Sequence, residues 1–182
     1  MRNSAQEYAL NYHQKTLNDL EKRLVKKLSK PDSPKCPNVV VDTNVLYSAL
    51  FYRGNEHVLF EASASCLVKI HISKYISDEF KEVLAKNGID EVLVEDFFLE
   101  NKINVVEDDF YRKHKDYQKF VDEAKSISDI ADRPIYVFAR VFAQIFQNSC
   151  FISGDKDFWE NKTVKKHLKN KIKTTKEVLD LI

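Results

Sequence analysis

Glycine is scarce, with three residues in a chain of 182. So few leave no room for a Gly-rich phosphate cradle, and neither a G-x-G-x-x-G nor a P-loop pattern occurs. Cysteine is as thin: Cys36, Cys66 and Cys150 are odd in number, far apart and without a C-x-x-C pair. That argues against a disulfide framework and a zinc knuckle. The five histidines form no H-x-x-x-H pair. Long apolar runs are missing too. The most apolar stretch, Ile135 to Phe146, is short and carries Arg140, which excludes it as a membrane span. The polar, charged N-terminus lacks the apolar centre of a signal peptide. These absences lead to the expectation of a reducing, cytoplasmic setting away from any membrane.

What is present suffices for a globular domain. A hydrophobic share of 43%, with 12% aromatic, can bury a real core. The length favours one domain plus an appendage. Net charge is only +1, but it is unevenly spread: residues 1–37 carry +4, residues 38–155 carry −7 and residues 156–182 carry +4. An acidic centre between basic ends suits a carboxylate metal site approached by a polyanion, although lysine-rich termini also serve solubility.

Residues 3–29 read as one amphipathic helix, with Leu10, Leu17, Leu20, Leu24 and Leu28 on one stripe. Pro31, Pro34 and Pro37 break it and form a stiff linker, so the main domain begins near Asn38. From there strands and helices alternate. Asn38–Val41, Val68–Ile72, Ile103–Val106, Cys150–Ser153 and Ile172–Thr174 read as strands. Between them, Asp42–Phe51, Glu56–Cys66, Ser77–Lys86 (ended by Gly88) and Asp90–Asn101 read as helices. A charged helical insertion covers about 107–126. Asp132 is expected to cap a long helix to about Gln147, with Pro134 in its first turn, and a short helix closes the chain. This order predicts an α/β fold around a mainly parallel sheet.

Two acids stand at the exits of buried strands: Asp42 after Val39-Val40-Val41, and Asp155 after Phe151-Ile152-Ser153-Gly154. Open parallel sheets bind ligands outside those strand ends. Gathering carboxylates there raises their repulsion unless a cation compensates. Asp132 at a helix start and Glu79 in a first helical turn are the other two candidates. Taken singly, each has an ordinary explanation: a cap, a strand-end turn, a solvated helix face. As a set of oxygen donors without histidine or thiolate, they suit a hard cation, Mg²⁺ or Mn²⁺. Such a site hydrolyses phosphodiesters.

These segments also resemble a known family. Val39-Val40-Val41-Asp42-Thr43-Asn44-Val45-Leu46-Tyr47-Ser48-Ala49-Leu50 is similar to the opening strand and helix of PIN-domain nucleases. Ser77-Asp78-Glu79-Phe80-Lys81-Glu82-Val83-Leu84 resembles their second acidic helix, and Asp129-Ile130-Ala131-Asp132-Arg133-Pro134-Ile135 their third motif. Ile152-Ser153-Gly154-Asp155-Lys156-Asp157-Phe158 resembles the fourth, and Ile172 to Leu179 the closing strand and helix. The resemblance spans roughly residues 38–182. It implies a three-layer α/β/α sandwich that cuts RNA to 5′-phosphate and 3′-hydroxyl ends. Asp42, Glu79, Asp132 and Asp155 would then bind the metal, Asp157 would be a fifth carboxylate, and Asn44 and Ser153 would orient the acids. Lys165, Lys166, Lys169, Lys171 and Lys173 form a basic cluster expected to contact RNA. The 1–37 segment and the 107–126 insertion depart from the minimal family pattern.

Gly154-Asp155-Lys156-Asp157 is also faintly similar to the acidic motif of haloacid-dehalogenase-like phosphatases, with Asp42 as nucleophile. Those enzymes need a second Asp two residues on, where this chain has Asn44, which cannot serve as their acid. A catalytically silent RNA- or protein-binding module is the other alternative. Within the nuclease reading, a toxin blocked by an antitoxin partner and an RNA-processing factor are both open. A homo-oligomer is expected, with the leucine stripe docked on its own domain or on a second copy.

Overall fold

The computed structural model describes residues 37–182; the leucine-striped segment, Pro31 and Pro34 lie outside them. Five parallel strands form one sheet, in the order β3-β2-β1-β4-β5: β1 (Asn38–Val41), β2 (Lys69–Ser73), β3 (Asn104–Val106), β4 (Ser149–Ile152) and β5 (Ile172–Lys173). β1 is central. Its residues Asn38, Val39 and Val40 pair with Lys69, Ile70 and His71 on one side, and Asn38 to Val41 pair with Ser149 to Ile152 on the other. Val39, Val40 and Val41 are at most 1% exposed, which explains why this strand lacks polar alternation.

Helices cover the sheet in the expected α/β/α layers. Connecting β1 to β2 are α1 (Thr43–Phe51) and α2 (Asn55–Ala64); connecting β2 to β3 are α3 (Lys74–Lys86) and α4 (Glu91–Glu100). Then come α5 (Asp108–Arg112), α6 (Tyr117–Ala124) and α7 (Asp132–Ile145), with α8 (Lys156–Glu160), α9 (Lys162–Leu168) and α10 (Thr175–Leu179) after β4. Two aromatic clusters fix the layers. Phe60, Phe80, Phe97 and Phe98 join α2, α3 and α4, with Phe60–Phe97 ring centroids 5.4 Å apart. Phe138 and Phe142 of α7 and Phe146 at its C-terminal cap form a row of tilted rings, and Phe142 packs on His71 of β2 at 4.6 Å. Each fully buried Phe contributes roughly 1.5–3 kcal/mol. Burial also pulls the His71 imidazole down to about 4, helped by the charge of Lys69, so it packs as a neutral ring.

Several boundaries differ from the sequence reading, each for a local reason. α3 begins at Lys74 because the Ser73 hydroxyl caps it, accepting from the Ile76 amide at 3.2 Å. Asp132 is the first residue inside α7 rather than its cap; Ala131 holds the cap position, without a side-chain bond. α2 stops at Ala64, since Cys66 takes a positive φ of 60°. Gly88, at φ 74°, ends α3 as expected. α8 and α9 had no counterpart in the sequence reading. The 107–126 insertion is two short helices, and it is built into the domain. Glu123 of α6 accepts from Arg140 Nε at 3.0 Å and from the Tyr136 hydroxyl at 2.9 Å, while Arg140 lies 4.5 Å above the Phe120 ring. Among the described residues, no helix is long and apolar enough to cross a membrane.

Candidate acidic site

The strand order reverses at β1. The chain builds β2 and β3 outward on one side, then returns to place β4 on the other. At such a switch point a crevice opens beyond the strand ends. Asp42 stands there, its backbone N–H donating to the Ile152 carbonyl of β4 at 3.2 Å. Its Oδ1 caps α1 by accepting from the Val45 amide at 2.8 Å. The residue is 2% exposed, and Oδ2 is buried with no hydrogen-bond partner. Burial raises the Asp42 carboxyl to about 6; the Ser153 hydroxyl and the Val45 amide pull it back in part, and the Asp155 charge raises it further.

Asp155 lies across the crevice at the cap position of α8, where Oδ1 accepts from the Asp157 amide at 2.7 Å. Ser153 braces this turn. Its hydroxyl accepts from the Asp155 amide at 3.0 Å, and its carbonyl accepts from Trp159 Nε1 at 2.8 Å. Asp157 contributes that backbone N–H, and the residue is half-buried. Asn44 is exposed and lines an adjoining cleft of ≈ 300 Å³ with Ser48, Ser153, Trp159 and Thr174.

Asp132, in the first turn of α7, also buries an unpartnered Oδ2. Its carboxyl is raised to about 7, first by burial and then by the charges of Asp155, Asp129, Asp42 and Glu79. Asp42, Glu79, Asp132 and Asp155 are therefore one electrostatic group. Glu79 sits in the second turn of α3, not the first, so the helix terminus does not stabilise it. Instead the Thr43 hydroxyl, from the first turn of α1, donates to its Oε2.

No family model and no curated protein sequence matches the chain. Among solved structures, its fold is similar to that of VapBC2 from Rickettsia felis, crystallised bound to a DNA fragment from their promoter. The TM-score is 0.52 at 13% identity, covering 75% of this chain and 98% of that chain. The fold is PIN-like. At that identity the likeness establishes the fold alone.

The PIN-like sheet brings the four acids within electrostatic reach, and two of them hold buried, unsatisfied oxygens. An orphaned buried carboxylate oxygen is costly, and a hard cation satisfies it. In donor chemistry the group fits Mg²⁺ or Mn²⁺. Among the described residues, no three His, Cys, Asp or Glu side chains stand together as a ready-made metal-binding group, so the acids are neighbours rather than a closed cage.

The lysines divide. Lys165, Lys166 and Lys169 are exposed on and just after α9, and Lys173 in β5 pairs with Ile152 beside the crevice. Lys171 is committed elsewhere: its Nζ donates to the Gln147 carbonyl at 2.7 Å and the Phe146 carbonyl at 3.2 Å, closing the end of α7. Sequence reasoning overlooked three residues. Thr43 and Asp129 lay inside quoted motifs without a role. Tyr75, whose hydroxyl is raised by burial and by Glu79, Asp129 and Asp132, lay before the expected start of α3.

Proposed function

We propose that this chain is a Mg²⁺- or Mn²⁺-dependent endoribonuclease in which Asp42, Glu79, Asp132 and Asp155 hold the metal. The observation that carries the reading is a pair of buried Oδ2 atoms without a hydrogen bond, one on Asp42 where the strand order switches and one on Asp132, which feels the charges of Asp42 and Asp155. Burying such an oxygen without a partner costs free energy that a bound cation would offset. When bound, the cation lowers the pKa of water and stabilises charge on the phosphodiester. The chain supplies the positions. Val45 fixes one oxygen of Asp42, Thr43 fixes Glu79, and Ser153 holds the turn that presents Asp155. The exposed lysines of α9 and Lys173 draw in the phosphate backbone.

Within this reading, the chain acts in the cytoplasm as the toxin of a toxin–antitoxin pair. A protein partner covers the acidic crevice, and the chain self-associates. The likeness to VapBC2, which was crystallised on DNA from its own promoter, supports a partnered role, and an RNA-processing factor is the alternative. One observation favours a silent binding module instead: no three acids converge among the described residues. A labelled single-stranded RNA separates the two. The nuclease shortens it in Mn²⁺ but not in EDTA, and Asp42→Asn abolishes shortening; a silent module shifts the RNA and leaves its length unchanged.

A further inference from the structure

The 107–126 insertion walls a second cavity of ≈ 360 Å³, between α5, α6, the start of α7 and the start of α3. Its volume falls in the range of small-ligand sites, about 300–1,000 Å³. Tyr75, Tyr111 and Tyr117 supply aromatic walls, with Val137 and Pro134 beneath. Arg112 and Arg133 stand at the same cavity. Three of these groups are held in place, the first being Arg112, whose Nη2 donates to Asp108 at 2.7 Å. The Tyr111 hydroxyl donates to Asp108 at 2.9 Å, and Arg133 Nε donates to the Ile127 carbonyl at 3.0 Å. At the rim Ile130 is 73% exposed, an apolar side chain open to solvent among the described residues.

The cavity and the acidic site draw on the same two helices, α3 and α7. Arg133 follows Asp132 in sequence, and Tyr75 both lines the cavity and feels the charges of Glu79 and Asp132. Flat aromatic rings beside guanidinium groups bind unpaired bases, because stacking needs only a π face and the cations accompany the backbone. A small inorganic anion would leave the rings unused, and a purely aliphatic ligand would use neither the rings' stacking faces nor the cations.

We propose that this cavity is a base-binding subsite that takes one unpaired nucleobase of the RNA next to the bond presented to the four acids. The insertion thereby holds the nucleotide that flanks the cut, whatever its base. This rests on the nuclease reading, and the test keeps the two apart. The full-length Asp42→Asn protein is titrated with a short single-stranded RNA carrying one abasic site, moved along the strand. One position is expected to weaken binding about tenfold. Tyr117→Ala, introduced into the same protein, removes that sensitivity and Tyr117→Phe keeps it. Tyr75→Ala, on a different helix, gives the same answer should Tyr117→Ala fail to fold. Equal affinity at every position, persistence of the sensitive position in the alanine variants, or no RNA binding at all overturns the subsite. A sensitive position in a wild-type protein that never shortens unmodified RNA in Mn²⁺ overturns the nuclease reading alone.

Discussion

Thr43 donates its hydroxyl hydrogen to Glu79, tying the first turn of α1 to the second turn of α3. The two residues are 36 positions apart, and each follows a different strand. This bond connects the acid of α3 to the turn that Asp42 caps. In the proposed site Thr43 is a positioning residue, acting through Glu79.

Thr43→Val therefore keeps the shape and removes the donor. Cleavage is expected to fall about tenfold while the melting temperature changes little, since one partly exposed hydrogen bond is worth about 0.5–1.5 kcal/mol. Thr43→Ser should restore the rate. A full-rate valine variant would mean that Glu79 needs no anchoring.

Asp42 and Asp132 give stability a pH dependence of known sign. Both carboxyls titrate higher in the folded chain, at about 6 and about 7, than the ordinary 3.8. The folded metal-free protein thus holds extra protons between about pH 4 and 7 and loses their stabilisation as pH rises through that window. Asp42→Asn keeps the cap acceptor and removes this loss, gaining at most about 3 kcal/mol over wild type at pH 8 and nothing near pH 4. Thermal melts across pH read the difference. Saturating Mn²⁺ should raise the wild-type melting temperature most at the alkaline end, where the acids are ionised. A flat difference curve would remove the case for two strained carboxyls.

The ion pair of Glu123 with Arg140 sits about nine-tenths inside the protein. Burial alone would raise the Glu123 carboxyl, but the hydrogen bonds from Arg140 and Tyr136 hold it below the ordinary range. Glu123→Ala strands the Arg140 charge and should cost roughly 3–5 kcal/mol by denaturant titration. A smaller loss in the Glu123→Ala, Arg140→Met double variant would show the penalty to be the unpaired charge.

The lysines should separate by experiment. Removing Lys165, Lys166, Lys169 and Lys173 is expected to weaken RNA binding evenly across sequences. It should also flatten the salt dependence, by about 0.7 of slope for each phosphate on a single strand that is no longer neutralised. Lys171→Ala should leave the slope alone and lower stability by about 1–3 kcal/mol, because two carbonyls lose their donor. A changed slope in Lys171→Ala would return it to the RNA-facing set.

The strand-exit positions of Asp42 and Asp155 were legible in the sequence: Asp42 directly follows the buried run Val39 to Val41, and Asp155 follows Phe151 and Ile152 after a Ser-Gly turn. The start of α3 was not. Ser73 closes β2 and caps the helix at once, and a strand alternation hides a cap at its last residue. Asp132 was placed one position too far out, because an acid ahead of Pro134 looks the same at the cap as just inside it. The insertion was read as charged and helical, but which of its charges are buried was not legible, because Asp122 and Glu123 are adjacent acids in the sequence. One is exposed beside Lys125 and the other is buried under Arg140, a difference made by residues elsewhere in the chain.

The pairing of β1 with β4 joins positions far apart in the order of synthesis: the Asn38 side-chain amide donates to Asn148 across 110 residues. A chain leaving the ribosome has made Asp42, Glu79 and Asp132 well before it makes Asp155. Until β4 emerges, one edge of β1 has no strand to pair with, and the crevice lacks its far wall. Non-local parallel pairing of this kind closes slowly, and the open edge is a handhold for a chaperone or for another copy. The order of synthesis therefore sets the order of assembly: the acidic crevice is the last part of the sheet to gain its second wall.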